Sequence, residues 1–166
     1  DQADDVAEMV LALSDTFKLS LNKGNKLILV RDEMEKIKAY MKVQNMRYHN
    51  RFQFQVELEE EMLGNKMLTF ILQPLVENAV YHGLEPRIGN GYIRIEGYIE
   101  DEEMVFHIQD NGVGIDDLSK LEDGYGVKNI RERIKLFYGE EYDVIFDSKT
   151  GEGTTVTLIL PMIRRE

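Results

Sequence analysis

Met104-Val105-Phe106-His107-Ile108-Gln109-Asp110-Asn111-Gly112-Val113-Gly114 changes character at its middle. Apolar Met104, Phe106 and Ile108 recur at a period of two, the signature of a strand with one buried face, and a glycine-rich segment follows at once. The same parity puts Asp110 on the apolar side, so a carboxylate is expected to face the protein interior. Asn111-Gly112 is also an ordinary turn sequence, and by itself it says little.

The neighbouring segments supply the rest of a sheet and its cover. Ile93, Ile95 and Ile99 alternate ahead of the acidic turn Glu100 to Glu103, which predicts an antiparallel hairpin with the Met104 strand. Further strands are expected near Asp143 to Asp147 and from Thr154 to Leu160, where Thr154 shares the inward parity of Val156, Leu158 and Leu160. Arg51 to Glu59 reads as a strand half exposed to water, through Phe52, Phe54, Val56 and Leu58. Leu68, Ile71, Leu72, Leu75, Val76 and Ala79 form a helical stripe ending at Gly83, a residue suited to a left-handed cap. Pro74 lies inside that stripe, so the helix either restarts with proline in its first turn or kinks there. A second helix is expected from about Gly126 to Tyr138. These elements give an α+β sandwich with helices covering one sheet face.

Two more helices precede the sheet. Val6, Val10, Leu13, Phe17 and Leu21, with Met9 alongside, hold helical spacing until Asn22-Lys23-Gly24-Asn25. On a helix from Arg31 to Asn50, Val30, Met34, Ile37, Met41, Gln44 and Tyr48 alternate in steps of four and three, a heptad-like seam. The pair reads as a hairpin whose seam either joins a second copy, giving a homodimer, or lies on the domain core.

Composition narrows the function. With 31 acidic and 20 basic residues, the formal charge is −11, which opposes an extended phosphate backbone, so no nucleic-acid partner is expected. The absence of cysteine excludes disulfides and thiolate metal sites. No stretch approaches the roughly 20 apolar residues of a membrane helix, and no basic-then-apolar leader follows Asp1. The 166 residues are expected to be soluble, and a start at Asp1 points to a piece of a longer protein.

Three glycine clusters follow the Leu68 to Gly83 stripe: Asp110-Asn111-Gly112-Val113-Gly114, Gly124-Tyr125-Gly126 and Gly151-Glu152-Gly153-Thr154. Glycine lets backbone approach a ligand, and amides at a helix start attract phosphate, so a nucleotide pocket is the expectation. At 100° per residue, Glu77, Asn78 and Tyr81 lie along an edge beside the apolar stripe, where they would line that pocket. Asp116, Asp117, Glu122 and Asp123 solvate a short lid from Ile115 to Asp123.

In their order, these motifs resemble those of the GHKL ATPases, which include gyrase-type topoisomerases, heat-shock chaperones, mismatch-repair ATPases and histidine kinases. Glu77-Asn78-Ala79 is similar to their N box, and the glycine clusters to their two glycine boxes and closing Gly-Thr motif. Gln73-Pro74-Leu75-Val76-Glu77-Asn78-Ala79-Val80-Tyr81-His82-Gly83 resembles the LytS/YesM type of sensor histidine kinase. The resemblance implies a Bergerat-type two-layer sandwich with a mixed sheet over residues 51–166, preceded over 1–50 by a helical hairpin left from the dimerisation and phosphotransfer region. It implies ATP and magnesium, with Asp110 on the adenine amino group, Thr154 beside it and Asn78 on the metal. Glu77 would be a general base or would position Asn78.

Gly112, Gly114, Gly124, Gly126, Val127 and Gly153 would frame the nucleotide. Many relatives carry lysine where this chain has Tyr81, so His82, Lys128 or Arg131 would supply charge to the phosphates. The acceptor histidine would lie upstream of Asp1, because His49, His82 and His107 all read as structural. The 166 residues alone would then acquire no phosphohistidine. A response regulator would be the partner, and the segment would be the cytoplasmic portion of a membrane-anchored sensor. A serine kinase of the anti-sigma type and a nucleotide-gated interaction module without transfer activity are the alternatives.

Overall fold

The computed structural model describes residues 2–20 and 27–163. In chain order the elements are α1 (Gln2–Ser20), β1 (Leu27–Leu29), α2 (Val30–Arg47), β2 (Phe52–Leu58), α3 (Glu60–Leu63), β3 (Lys66–Leu68) and α4 (Leu72–Asn78). A π-helical turn (Ala79–Leu84), β4 (Gly91–Glu100), β5 (Glu103–Asp110), α5 (Leu118–Glu122), α6 (Tyr125–Tyr138), β6 (Val144–Lys149) and β7 (Gly153–Pro161) follow.

Five strands form one sheet in the order β2-β4-β5-β7-β6. The β2–β4 pair is parallel and the other three pairs are antiparallel, so the sheet is mixed, as the resemblance implied. Ile93, Ile95, Met104, Phe106, Ile108, Val156, Leu158 and Leu160 are buried on one face and join the core with residues of α2, α4 and α6. The opposite face carries exposed Tyr92, Tyr98 and Ile145. On that face Arg94 pairs with Glu57 at 2.9 Å and Glu96 at 2.6 Å, and the His107 ring meets the Thr157 hydroxyl at 3.0 Å. One dry face and one wet face make the two-layer arrangement.

The helix expected over residues 68–83 is divided. Leu68 belongs to β3, which pairs antiparallel with β1, a strand that no alternation announces. The α-helix starts at Leu72, which puts Pro74 in its first turn, where a missing amide hydrogen costs nothing. After Asn78 the backbone widens, and the Glu85 amide reaches back five residues to the Val80 carbonyl at 2.8 Å. Gly83 is therefore not a left-handed cap, since it lies inside the wide turn. Its missing side chain serves packing: a Cβ there would sit 2.8 Å from Asp110 Oδ1.

The expected turn at Asn22 to Asn25 lies outside the described residues. α1 and α2 pack side by side, and Lys42 meets Glu8 at 3.4 Å. Val30, Met34, Ile37 and Met41 are each 2% exposed or less and belong to the same core as the sheet. The heptad-like seam of α2 is thus occupied by the chain's own core, and among the described side chains of α1, apolar Val6, Val10, Leu11 and Leu13 are left exposed.

Ile37→Ala should therefore destabilise the chain by about 2–5 kcal/mol in urea unfolding, the usual cost of emptying a packed site. Val10→Ala should change it by less than about 0.5 kcal/mol in the monomer. Equal small effects would remove α2 from the core.

Candidate functional site

The ends of β5 and β7 meet where Asp110 pairs with Thr154 across the ladder. Asp110 closes the apolar row Met104, Phe106, Ile108 and is 7% exposed, and Thr154 is 9% exposed. The Gly112 amide donates to Asp110 Oδ1 at 2.8 Å, an Asx turn that folds the chain under the π-helical turn. The approach is close enough that a Cβ on Gly112 would overlap the backbone of Gly83, and one on Gly153, whose φ is 115°, would overlap the Asp110 carbonyl. The Val113 amide donates to the Gly83 carbonyl at 3.0 Å, fixing this crossing. Thr154 Oγ1 lies 2.7 Å from Ser148 Oγ, which also accepts from the Ile115 amide at 2.8 Å.

Burial pushes the Asp110 carboxyl up to about 6, and the amides of Gly112 and Thr154 only partly oppose it. No cation pairs with it among the described residues. A buried carboxylate with no cation is costly, and a further donor would stabilise it. It faces a narrow slot lined by Leu75, Asn78, Ala79, His82, Gly83, Gly114, Ile115, Leu121, Phe146, Thr154 and Val156. The slot opens into a hollow of ≈ 440 Å³ bounded by Asn78, His82, Gly114, Ile115, Lys120, Leu121, Gly124, Gly126 and Val127. Gly124 is the N-cap of α6 and supplies no capping side chain, so the start of that helix, through Gly124, Gly126 and Val127, borders the hollow uncapped. A Cβ on Gly126 would meet nothing within 4 Å, so packing within the described chain does not require glycine there. A larger hollow of ≈ 790 Å³ at the far end of β5 and β7 is ringed by Glu61, Asp101, Glu102 and Glu103, a field that repels phosphate.

Of the residues anticipated from sequence, Asn78, His82, Asp110, Gly114, Gly124, Gly126, Val127 and Thr154 converge on the slot and hollow. Gly112 and Gly153 frame them from behind. Four stand elsewhere. Tyr81 is 65% exposed with its ring edge-on to His82 at 4.9 Å. In the widened turn, residues four apart such as Asn78 and His82 share a side, which turns Tyr81 outward. Glu77 accepts from Gln73 Nε2 at 3.1 Å and looks toward α2, where burial first and then the Glu77 charge push the Tyr40 phenol above its usual range. Arg131 is tied to Asp143 at 3.2 Å and donates to the Val144 carbonyl at 3.0 Å. Lys128 is exposed, with its amide returned to the Gly124 carbonyl.

The sequence does not single out Lys120 or the apolar lining as pocket residues. Leu75, Ala79 and Gly83 carry a legible four-residue spacing, and Phe146 shares the parity of Val144, but nothing in the pattern singles out Lys120 on the lid helix α5. The lid aspartates are structural: Asp117 caps Ser119 at 3.0 Å, and Thr150 donates to Asp116 at 2.8 Å. Among the described residues no three His, Asp or Glu side chains cluster to hold a metal. Asn78 lines the hollow with a neutral amide, whose oxygen is a hard donor of the kind that suits a hydrated cation more than a protein cage.

Because Asp110 is raised from 3.8 to about 6 in the folded chain, folding favours its protonated form. Its contribution is complete below the unfolded value and is lost as pH rises through about 6. Unfolding free energy should fall by on the order of 2–3 kcal/mol from this group between pH 4 and 7. Asp110→Asn should flatten that slope in denaturant titrations, and an unchanged slope would contradict the burial of a free carboxyl.

Among known proteins, the sequence profile of the histidine kinase-, DNA gyrase B-, and HSP90-like ATPases matches residues 64–164, and a histidine kinase profile matches residues 1–52. The chain is 26% identical to the sensor histidine kinase BtsS of Escherichia coli (strain K12) over 96% of its own length and 28% of BtsS. It is 29% identical to the sensor histidine kinase YesM of Bacillus subtilis (strain 168) over 97% of its length and 28% of YesM. The chain thus spans little more than a quarter of these curated relatives. Among solved structures, the Acinetobacter baumannii histidine kinase AdeS shares the fold with a TM-score of 0.65 at 14% identity, covering 98% of this chain and 81% of that one. The histidine kinase domain of an Erythrobacter litoralis blue-light activated histidine kinase does so at 0.63 and 15%, covering 95% and 75%. With two glycine-framed strands ending at a buried aspartate beneath the Asn78 helix, and a profile match over residues 64–164, the chain belongs to the histidine kinase-, DNA gyrase B-, and HSP90-like ATPase family.

Proposed function

We propose that this chain is the ATP-binding catalytic region of a two-component sensor histidine kinase, passing the γ-phosphoryl of ATP to a histidine upstream of Asp1 and thence to a response-regulator aspartate. The observation that carries it is the unpaired, buried Asp110 carboxylate at the closed end of a slot whose open end is the uncapped start of α6. The match of residues 1–52 to the histidine kinase profile favours this over a serine kinase.

In this reading the adenine amino group donates to Asp110, a charge-assisted bond contributing about 1.5–3 kcal/mol, with the Thr154 hydroxyl beside it. The phosphates lie against the first amides of α6, at Gly126 and Val127, where the helix dipole favours negative charge. Magnesium, held by the Asn78 amide oxygen, supplies charge neutralisation on the phosphates when bound. His82 stands at the same mouth and can donate to a phosphate oxygen. Lys128 and Arg131 would reach the phosphates only by leaving their present positions, and Tyr81 contributes through His82. Glu77 stands on the side of α4 that faces α2, suited to take or orient the acceptor's proton, or to hold Asn78 in place.

Residues 1–50 would be the hairpin that follows the acceptor and pairs with a second copy through α1, and 51–166 the catalytic domain. The parent would be membrane-anchored with this part in the cytoplasm. No helix among the described residues is long and apolar enough to cross a membrane.

Two outcomes test the site. Adenosine affinity should fall roughly tenfold per unit as pH drops below about 6, because protonation removes the charged acceptor. Calorimetry showing the same affinity at pH 7 and 5 would remove adenine from Asp110. Asn78→Ala should weaken MgATP binding and its magnesium dependence while leaving adenosine affinity within about twofold, since a metal held by Asn78 would meet the phosphates and not the base. Equal losses for both ligands would mean a displaced helix.

A further inference from the structure

Two charged residues of α2 are buried away from the nucleotide site. Glu33 is fully buried and Lys36 is 3% exposed, with Lys36 Nζ 3.8 Å from Glu33 Oε2. Taking charges out of water is costly unless they are paired and bonded, and this pair is only loosely closed, since Glu33 Oε2 has no hydrogen-bond partner. Its other oxygen has a specific task. Glu33 Oε1 accepts from the Gln73 backbone amide at 3.4 Å, in the first turn of α4, a helix whose own N-cap, Ile71, supplies no capping side chain. The cap of α4 is provided by α2.

From that point the contact continues along α4. Gln73 Nε2 donates to Glu77 Oε1 one turn later at 3.1 Å, next to Asn78. Beneath the cap, the bend leading into α4 is held from two sides. Lys36 Nζ sits 4.0 Å above the ring of Phe70, whose backbone is left-handed at φ 57°. Arg133 of α6 donates to the carbonyls of Thr69 at 2.6 Å and Phe70 at 2.8 Å. Thus α2, the start of α4 and α6 meet at one polar joint inside an otherwise apolar core.

We propose that Glu33 is a positioning residue: from α2 it caps the helix that carries Glu77 and Asn78, and through Gln73 it fixes where the Glu77 carboxylate points. Phosphoryl transfer, but not nucleotide binding, then depends on how α2 sits against α4. This rests on the kinase reading above. A movement of the hairpin reaches Glu77 through two hydrogen bonds, whereas Asp110 and Thr154 stand on the sheet and are not attached to the joint.

The test uses a kinase chain that includes the acceptor helix, measuring the maximal rate of histidine phosphorylation and the ATP dissociation constant separately. Gln73→Leu removes the donor to Glu77 at nearly constant volume. Glu33→Leu with Lys36→Leu removes the cap and leaves no unpaired charge. Both should lower the maximal rate by about tenfold or more with the dissociation constant within about twofold, the split expected for a group that acts only on transfer. Glu33→Gln with Lys36→Met keeps an oxygen for the Gln73 amide and should recover most of the rate. An unchanged rate in the first two variants overturns the proposal. So does a parallel loss of rate and affinity, or a Glu33→Gln/Lys36→Met chain as slow as the leucine pair. If the unaltered chain binds ATP and never forms phosphohistidine, the kinase reading fails instead.

Discussion

A carboxyl group kept inside an apolar pocket without a cation must be fixed by backbone, and most of the site follows from how Asp110 is fixed. Its strand ends there because the Asx turn to Gly112 redirects the chain. The turn must pass directly under the π-helical segment, and two glycines meet where a single Cβ would collide. That contact sets the height of Asn78 and His82 above the sheet. On the other side, the Gly153 backbone packs on the Asp110 carbonyl and brings Thr154 opposite. A pocket defined by backbone against backbone cannot relax to give Asp110 water, which is why burial dominates its proton affinity.

Electrostatic preorganisation runs along this slot. At the inner end stands a carboxyl held by backbone amides and paired with no cation among the described residues, and at the outer end stands a helix start whose N-cap glycine supplies no capping side chain. The chain as a whole carries −11, yet Asp116 and Asp117 of the lid are engaged in loop and capping bonds, and the far acidic hollow is at the opposite end of the strands. A polyanion with an amino-bearing base thus finds complementary groups in one line and unfavourable charge elsewhere on the sheet's ends.

Strand parity made the sheet legible from sequence. Met104, Phe106, Ile108 and Asp110 occupy one face as alternation requires, and so do Thr154, Val156, Leu158 and Leu160. Helical periodicity was a weaker guide where the backbone leaves α geometry. A 100° rotation per residue cannot anticipate the wide turn after Asn78, so Tyr81, which helical periodicity puts on the pocket edge, points to solvent. Arg131 was out of reach for a different reason, because Asp143 is twelve residues away and only the packing of α6 on β6 joins them. The α2 seam was correctly apolar, but periodicity alone cannot distinguish a core from a second copy. Glu33 and Lys36 left no sequence signal, since charged residues on a helix are ordinarily solvated.

In the proposed reading one nucleotide lies along the slot, base at Asp110 and phosphates at α6. Amide chemical shifts of the isotope-labelled chain, followed first with adenosine and then with MgATP, test this directly. Adenosine is predicted to move the signals of Gly112, Gly114 and Thr154, and MgATP to move those of Asn78, His82, Gly126 and Val127 in addition. Shifts centred on Tyr98 and His107 of the open sheet face, or MgATP shifts confined to the far acidic hollow, would contradict it.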